Sequence, residues 1–96
     1  MANTPLNPLG RSGIAHLVAE PMAHLAQYAA QVEALGFDDL WIPDERLLRN
    51  VYVALTAVAN ATSRIGLGPG VTNPYTRHPA LTAAAIATLG ELSGGR

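Results

Sequence analysis

The sequence predicts an α/β fold with a parallel sheet, built from three strand–helix pairs. Short apolar runs bounded by Gly or Pro alternate with longer stretches of helical periodicity. The runs are nearly continuous in apolar residues, as in strands buried on both faces of a parallel sheet. The chain is also unusually apolar: 49% of its 96 residues are hydrophobic and 14% are charged. Average soluble domains carry about a quarter charged residues. A short, apolar chain of this kind is expected to be an obligate oligomer or a piece of something larger.

Residues 1–12 form an expected flexible lead-in, with Pro5, Pro8 and Gly10. Gly13 to Val18 is the first strand, and Pro21 suits the first turn of the helix that follows. That helix has an apolar face of Met22, Leu25, Ala26, Ala29 and Val32. Gly36 is placed to stop it in a left-handed conformation, with Phe37 folding back on the last turn. Asp39-Leu40-Trp41-Ile42 is the second strand, cut off by Pro43. Asp44 to Arg49 is a charged loop, and Asn50 caps a second helix whose apolar face is Val51, Ala54, Leu55 and Val58. Ile65 to Val71 is the third strand. Pro79 opens a third helix along Leu81, Ala85, Leu89 and Leu92, ended by Ser93-Gly94-Gly95. Residues 13–96 thus read as one β-α-β-α-β-α unit. Its open strand edges suggest truncation before a fourth strand.

Composition excludes several function classes. Six Lys plus Arg against seven Asp plus Glu leave a net charge of −1, and Lys is absent, so no nucleic acid partner is expected. No apolar run approaches the roughly 20 residues of a membrane span, and the N-terminus lacks the apolar core of a signal peptide. Cys is absent, which removes disulfides and thiolate chemistry and fits a cytoplasmic protein. No pair of the three histidines has metal-ligand spacing, so no metal is expected.

The third strand is the most unusual stretch. Gly66, Gly68 and Gly70 line one of its faces, with Ile65, Leu67 and Val71 on the other and Pro69 interrupting. Glycine weakens a strand and packs nothing. Two readings fit it equally: room for a planar ligand or another backbone, and a bulge or tight corner. The loop behind it, Thr72 to Pro79, is rich in hydrogen-bond donors and lies at the carboxyl end of a strand, where ligands bind in parallel β/α folds. Arg77 suits an anion or a structural ion pair. Asp44 at the end of the second strand suits proton transfer or cofactor binding; equally, Asp44 and Glu45 suit loop caps contacting Arg46 or Arg49. His16 shares a face with Ile14 and Val18, open either to the fold's interior or to a hydrogen-bonded core site. His24 is expected on the surface and His78 as a cap.

Gly68 to Pro79, Gly-Pro-Gly-Val-Thr-Asn-Pro-Tyr-Thr-Arg-His-Pro, resembles the third strand and loop of the luciferase-like monooxygenase superfamily. It is most similar to the branch that resembles methylenetetrahydromethanopterin reductase. Gly36 to Asp44, Arg49 to Tyr52, Ala61 to Gly68 and Leu92 to Arg96 agree in order. The resemblance implies a TIM-type (β/α)8 barrel of about 250 residues or more, of which this chain matches the first three β/α units. It implies hydride transfer between coenzyme F420 and a small organic substrate, with an FMN-dependent monooxygenase or a non-catalytic remnant as the alternatives. It further implies a non-proline cis peptide between Gly70 and Val71 backing the cofactor ring. Gly68, Gly70, Val71, Thr72 and Asn73 are then the expected cofactor-binding residues and Asp44 the expected catalytic one. Relatives often carry His where this chain has Glu45. The second and third helices resemble those that make homodimer contacts, and three strands alone are expected to give no turnover.

Overall fold

Three strands and three helices alternate along the computed structural model, which describes residues 10–45 and 47–96. They are β1 (Gly13–Ala15), α1 (Met22–Ala34), β2 (Asp39–Ile42), α2 (Val51–Ala61), β3 (Gly66–Pro69) and α3 (Pro79–Ser93). The expected lead-in at residues 1–9 and the expected partner Arg46 lie outside the described residues. Arg11 and Ser12, at the end of that lead-in, are tied down: Arg11 pairs with Asp39 at 2.8 Å and the Ser12 N–H donates to Asp38 Oδ2 at 2.8 Å.

The strands form one parallel sheet in the order β1-β2-β3. All three helices lie on one side of it. Leu40 and Ile42 of β2 and Ile65 before β3 turn to that side and pack with Leu25, Ala29 and Val32 of α1 and Val51, Ala54, Leu55, Val58 and Ala59 of α2. These side chains are almost fully removed from solvent and form the core. The opposite face carries Gly13, Ala15, Asp39, Trp41, Gly66 and Gly68, and no helix among the described residues covers it. The strands are therefore covered on one side, where near-continuous apolarity led to an expectation of two. In a β/α barrel the helices form the outer ring, so this bare face is the interior one.

Local sequence explains the helix ends. Asn50 Oδ1 accepts the N–H groups of Tyr52 and Val53 at 3.0 and 3.1 Å, capping α2. His78 Nδ1 accepts the Ala80 N–H at 3.0 Å, with Pro79 in the first turn of α3. Gly36 (φ 93°) and Gly94 (φ 73°) take the left-handed conformations that end α1 and α3.

Three expectations change. β1 stops at Ala15 instead of Val18: the ladder continues only to the His16 N–H on the Trp41 carbonyl (2.9 Å), because Pro43 closes β2. β3 stops at Pro69, and Val71, expected beside Ile65 and Leu67, is 82% exposed because the chain leaves the strand before it. On α3 only Leu89 of the expected apolar face is buried, while Leu81 and Leu92 are exposed, since α2 and β3 cover just one side of the helix.

Charged groups bind backbone ends more than one another. The Glu33 carboxylate accepts the N–H groups of Ser63, Arg64 and Ile65, at 2.7 Å for Arg64, and so joins α1 to the start of β3. Arg96 donates to the carbonyls of Ala59 (3.0 Å) and Ser93 (2.9 Å) and to Thr62 Oγ1 (2.9 Å). A cation at the C-termini of α2 and α3 satisfies orphan carbonyls and opposes both helix dipoles. The Arg96 carbonyl itself lies 3.4 Å from the Leu67 N–H, so the chain returns to the free edge of β3.

Burial pushes the Glu33 carboxyl up, but the three N–H donors and Arg64 outweigh it and hold it below the ordinary carboxylate value. A folded value below the unfolded one means the ionised group stabilises the fold above about pH 4.5 and loses that contribution as pH falls through the folded value. Glu33→Gln should therefore cost about 1–3 kcal/mol at pH 7, and the gap to wild type should close on acidification. Urea unfolding of the two proteins at pH 7 and below pH 4 measures it.

Candidate functional site

The glycine face of β3 is filled by the chain's own side chains. Trp41 of β2 pairs with Gly68 on one side and Ala15 on the other, and its indole lies across the bare face of the sheet. A Cβ on Gly68 would sit 3.1 Å from Trp41 Cζ3, and one on Gly70 would sit 3.3 Å from Trp41 Cβ and Cε3. A Cβ on Gly13 of β1 would stand 3.1 Å from Trp41 Nε1. Gly66 faces Asp39, whose carboxylate occupies the place of the missing side chain. The alternation of glycines on β3 thus mirrors the alternation of inward side chains on β2. Neither a bulge nor a ligand is needed to account for it. Sequence reading missed Trp41, because the register that sets it opposite Gly68 joins residues far apart in the chain.

Above Trp41 the chain leaves β3. The Gly70–Val71 peptide bond is cis, at the position the resemblance implied. The Gly70 N–H still donates to the Ile42 carbonyl (3.0 Å), and the Val71 carbonyl accepts the Asp44 N–H (3.0 Å), so the ends of β2 and β3 stay joined. Val71 is left exposed and the indole half-exposed.

The loop from Thr72 to His78 closes over the end of β2. Thr72 Oγ1 donates to Asp44 Oδ2 at 2.6 Å. Arg77 Nε and Nη2 stand 3.4 Å from the two Asp44 oxygens, and the guanidinium lies over the Tyr52 ring at 4.9 Å. The expected loop contact of Asp44 with Arg49 gives way to Arg77, which is more distant in sequence and carries the structural ion pair. Asn73 Oδ1 accepts the Tyr75 N–H at 2.7 Å, an Asx turn that shapes the loop. Asp44, Glu45, Leu48, Asn50, Thr76 and Arg77 line a polar cleft of about 260 Å³ at the carboxyl end of the sheet.

The sequence singled out three histidines. His24 is exposed, and His78 caps α3. His16 turns toward α1, away from the bare face: its ring stacks on Tyr28 (4.1 Å) and its Nε2 is 2.6 Å from Glu20 Oε2. Asp44, Val71, Thr72 and Asn73 are brought to one end of the sheet, while Gly68 and Gly70 lie beneath Trp41.

Comparison with known proteins places this geometry. The family model for the luciferase-like monooxygenases matches residues 6–96. The chain belongs to that family. Its luciferase-like relatives include the 5,10-methylenetetrahydromethanopterin reductase of Methanolobus tindarius, 49% identical over 84 residues that cover 88% of this chain and 26% of that protein. The enzyme of the same name from Archaeoglobus fulgidus is 56% identical over 72 residues, or 75% of this chain and 22% of that protein. Among solved structures, the coenzyme F420 dependent tetrahydromethanopterin reductase from Methanopyrus kandleri superposes with a TM-score of 0.86 and 44% identity, over 90% of this chain and 25% of that one. The chain therefore spans about a quarter of the length of the relatives it matches, and its β-α units are those of the N-terminal part of a TIM barrel.

The fit of Trp41 to the glycines is open to a double-mutant cycle. Gly68→Ala should cost about 1–3 kcal/mol through overpacking, and little or nothing once Trp41 is replaced by Ala. A coupling of at least about 1 kcal/mol between the two changes in urea unfolding is expected. Simple additivity would show that the indole does not occupy that space.

Proposed function

We propose that this chain supplies the first three β/α units of a cytoplasmic luciferase-like oxidoreductase that moves a hydride between coenzyme F420 and a small organic substrate. The observation that carries the reading is the juxtaposition at the end of β3. The exposed Val71 follows Gly70, which packs on the half-exposed Trp41 indole, and precedes the polar Thr72 and Asn73, with Asp44 bonded to this segment, at the strand end where β/α barrels bind ligands. An apolar surface with a few convergent polar groups fits a planar heteroaromatic ring that carries polar substituents. The dependence of the Methanopyrus kandleri reductase on coenzyme F420 favours the deazaflavin among such rings.

In this reading Val71 and the Gly70 backbone back the ring. Gly68 and Gly70 serve it indirectly, by giving Trp41 the space to lie flat beneath it. Thr72 and Asn73 offer polar contacts, the Asn73 amide nitrogen having no partner among the described residues. Among the described residues, Asp44 is the carboxylate hydrogen-bonded to this segment. When bound, the deazaflavin supplies the carbon that donates or accepts the hydride. The chain's part is to orient that ring and to keep water from one of its faces. Glu45 lines the cleft beside Asp44 and gives that side of the mouth a carboxylate acceptor where the family resemblance implied a His.

The reading extends to assembly. The outer sides of α2 and α3 form a cleft lined by Tyr52, Thr56, Ala84, Ala85, Thr88 and Leu92, with Leu92 52% exposed. This apolar surface supports a homodimer contact through these two helices.

Titration of the whole protein with F420 and, separately, with FMN tests the cofactor. Saturable F420 binding with little FMN affinity is expected, and Val71→Asp should weaken F420 by about tenfold or more, since it sets a charge against the ring. Tight FMN binding without F420 affinity would overturn the reading in favour of a flavin monooxygenase.

A further inference from the structure

Asp44 ties the ligand-facing segment down at several points. Its N–H donates to the Val71 carbonyl (3.0 Å), and its carboxylate accepts the Thr72 hydroxyl (2.6 Å) and pairs with Arg77 (3.4 Å). Arg77 in turn donates its own N–H to the Asn73 carbonyl (3.2 Å) and rests on Tyr52 of α2. The bonds therefore reach both ends of the stretch that carries Val71, Thr72 and Asn73. The Asp44 side chain is 7% exposed and that of Arg77 27%. A carboxylate in this position is already engaged by a hydroxyl and a guanidinium.

We infer that Asp44 is a positioning residue: it acts through Thr72 and Arg77 to hold the Val71–Asn73 wall in place, and it carries no proton during hydride transfer. The inference rests on the cofactor reading above for what the wall binds, but the strut itself is a property of the chain without ligand. Three elements depend on it. The loop after β2 supplies the acid, the loop after β3 supplies the hydroxyl and the cation, and α2 supplies the aromatic surface on which the cation rests. The spacing is too long for any local pattern to mark, since Asp44 and Arg77 stand 33 residues apart.

The test uses Asp44→Asn, Arg77→Gln and the double variant in the whole protein. Amide hydrogen exchange of residues 71–78 is followed without ligand, with the amides of β2 as the control for global folding. Each single change should speed exchange in that segment about tenfold and weaken F420 by a similar factor, the worth of one charge-assisted hydrogen bond. The double variant should go little further than either single one, because both remove the same link. The pH profile of hydride transfer should keep its limbs in Asp44→Asn. If Asp44→Asn does not fold, Thr72→Val removes only the 2.6 Å hydrogen bond and should still raise exchange in the segment.

Asp44→Asn with unchanged exchange and F420 affinity, but a kcat at least about 100-fold lower and one pH limb missing, would overturn the inference and make Asp44 a proton carrier. Full additivity of the two changes would overturn it as well. Faster exchange in the variants of a protein that binds no F420 would support the strut and count against the cofactor reading alone.

Discussion

A single indole sets the interior face of this sheet. Trp41 lies across three strands, and it can do so only because Gly13, Gly68 and Gly70 present no side chain beneath it. In most β/α barrels each strand adds its own side chains to layers that fill the interior. Here one planar residue takes the space of several, and the neighbouring strands have given up theirs. The consequence reaches the site. Gly70, just past the end of β3, packs against the Trp41 side chain. The chain turns out at Val71, and the polar loop begins where the indole ends.

Long-range polar links do the remaining work of fixing the units to each other. The chain has few charges, and three of them bind backbone ends or anchor a loop. Glu33 gathers three N–H groups ahead of β3, Arg96 holds the carbonyl ends of α2 and α3, and Asp44 fastens the loop after β3. Glu33 ties the first β/α unit to the start of the third, and Arg96 and Asp44 tie the second to the third. Such bonds are worth more than exposed ion pairs, because the groups they satisfy would otherwise be left unpaired. Low charge content and high apolarity are thus compatible with a well-specified arrangement.

What could be read from the sequence follows from how local the cause is. Asn50, Gly36, Pro79 and the α2 face were legible because a cap, a left-handed stop and a helical stripe are decided within a few residues. The end of β1 and the cover of α3 were not, since both depend on which neighbour lies alongside. The glycine alternation was visible as an oddity, but its cause lies on another strand and needs the register Trp41↔Gly68 to be understood. Asp44 was picked out by its place at a strand end, while its partner Arg77 could be found only in three dimensions. The family pattern located the Gly70–Val71 bond, which periodicity alone would have left inside a strand.

The end of β3, from Gly70 to Asn73, is the proposed wall against which a deazaflavin ring rests. A crystal structure of the whole protein with F420 bound tests it most directly. The expected result is the ring in contact with Val71, with Thr72 or Asn73 within hydrogen-bond distance of its polar atoms and the Trp41 indole still across the glycines. A ring bound elsewhere in the barrel, with Val71 free of it, would contradict the claim.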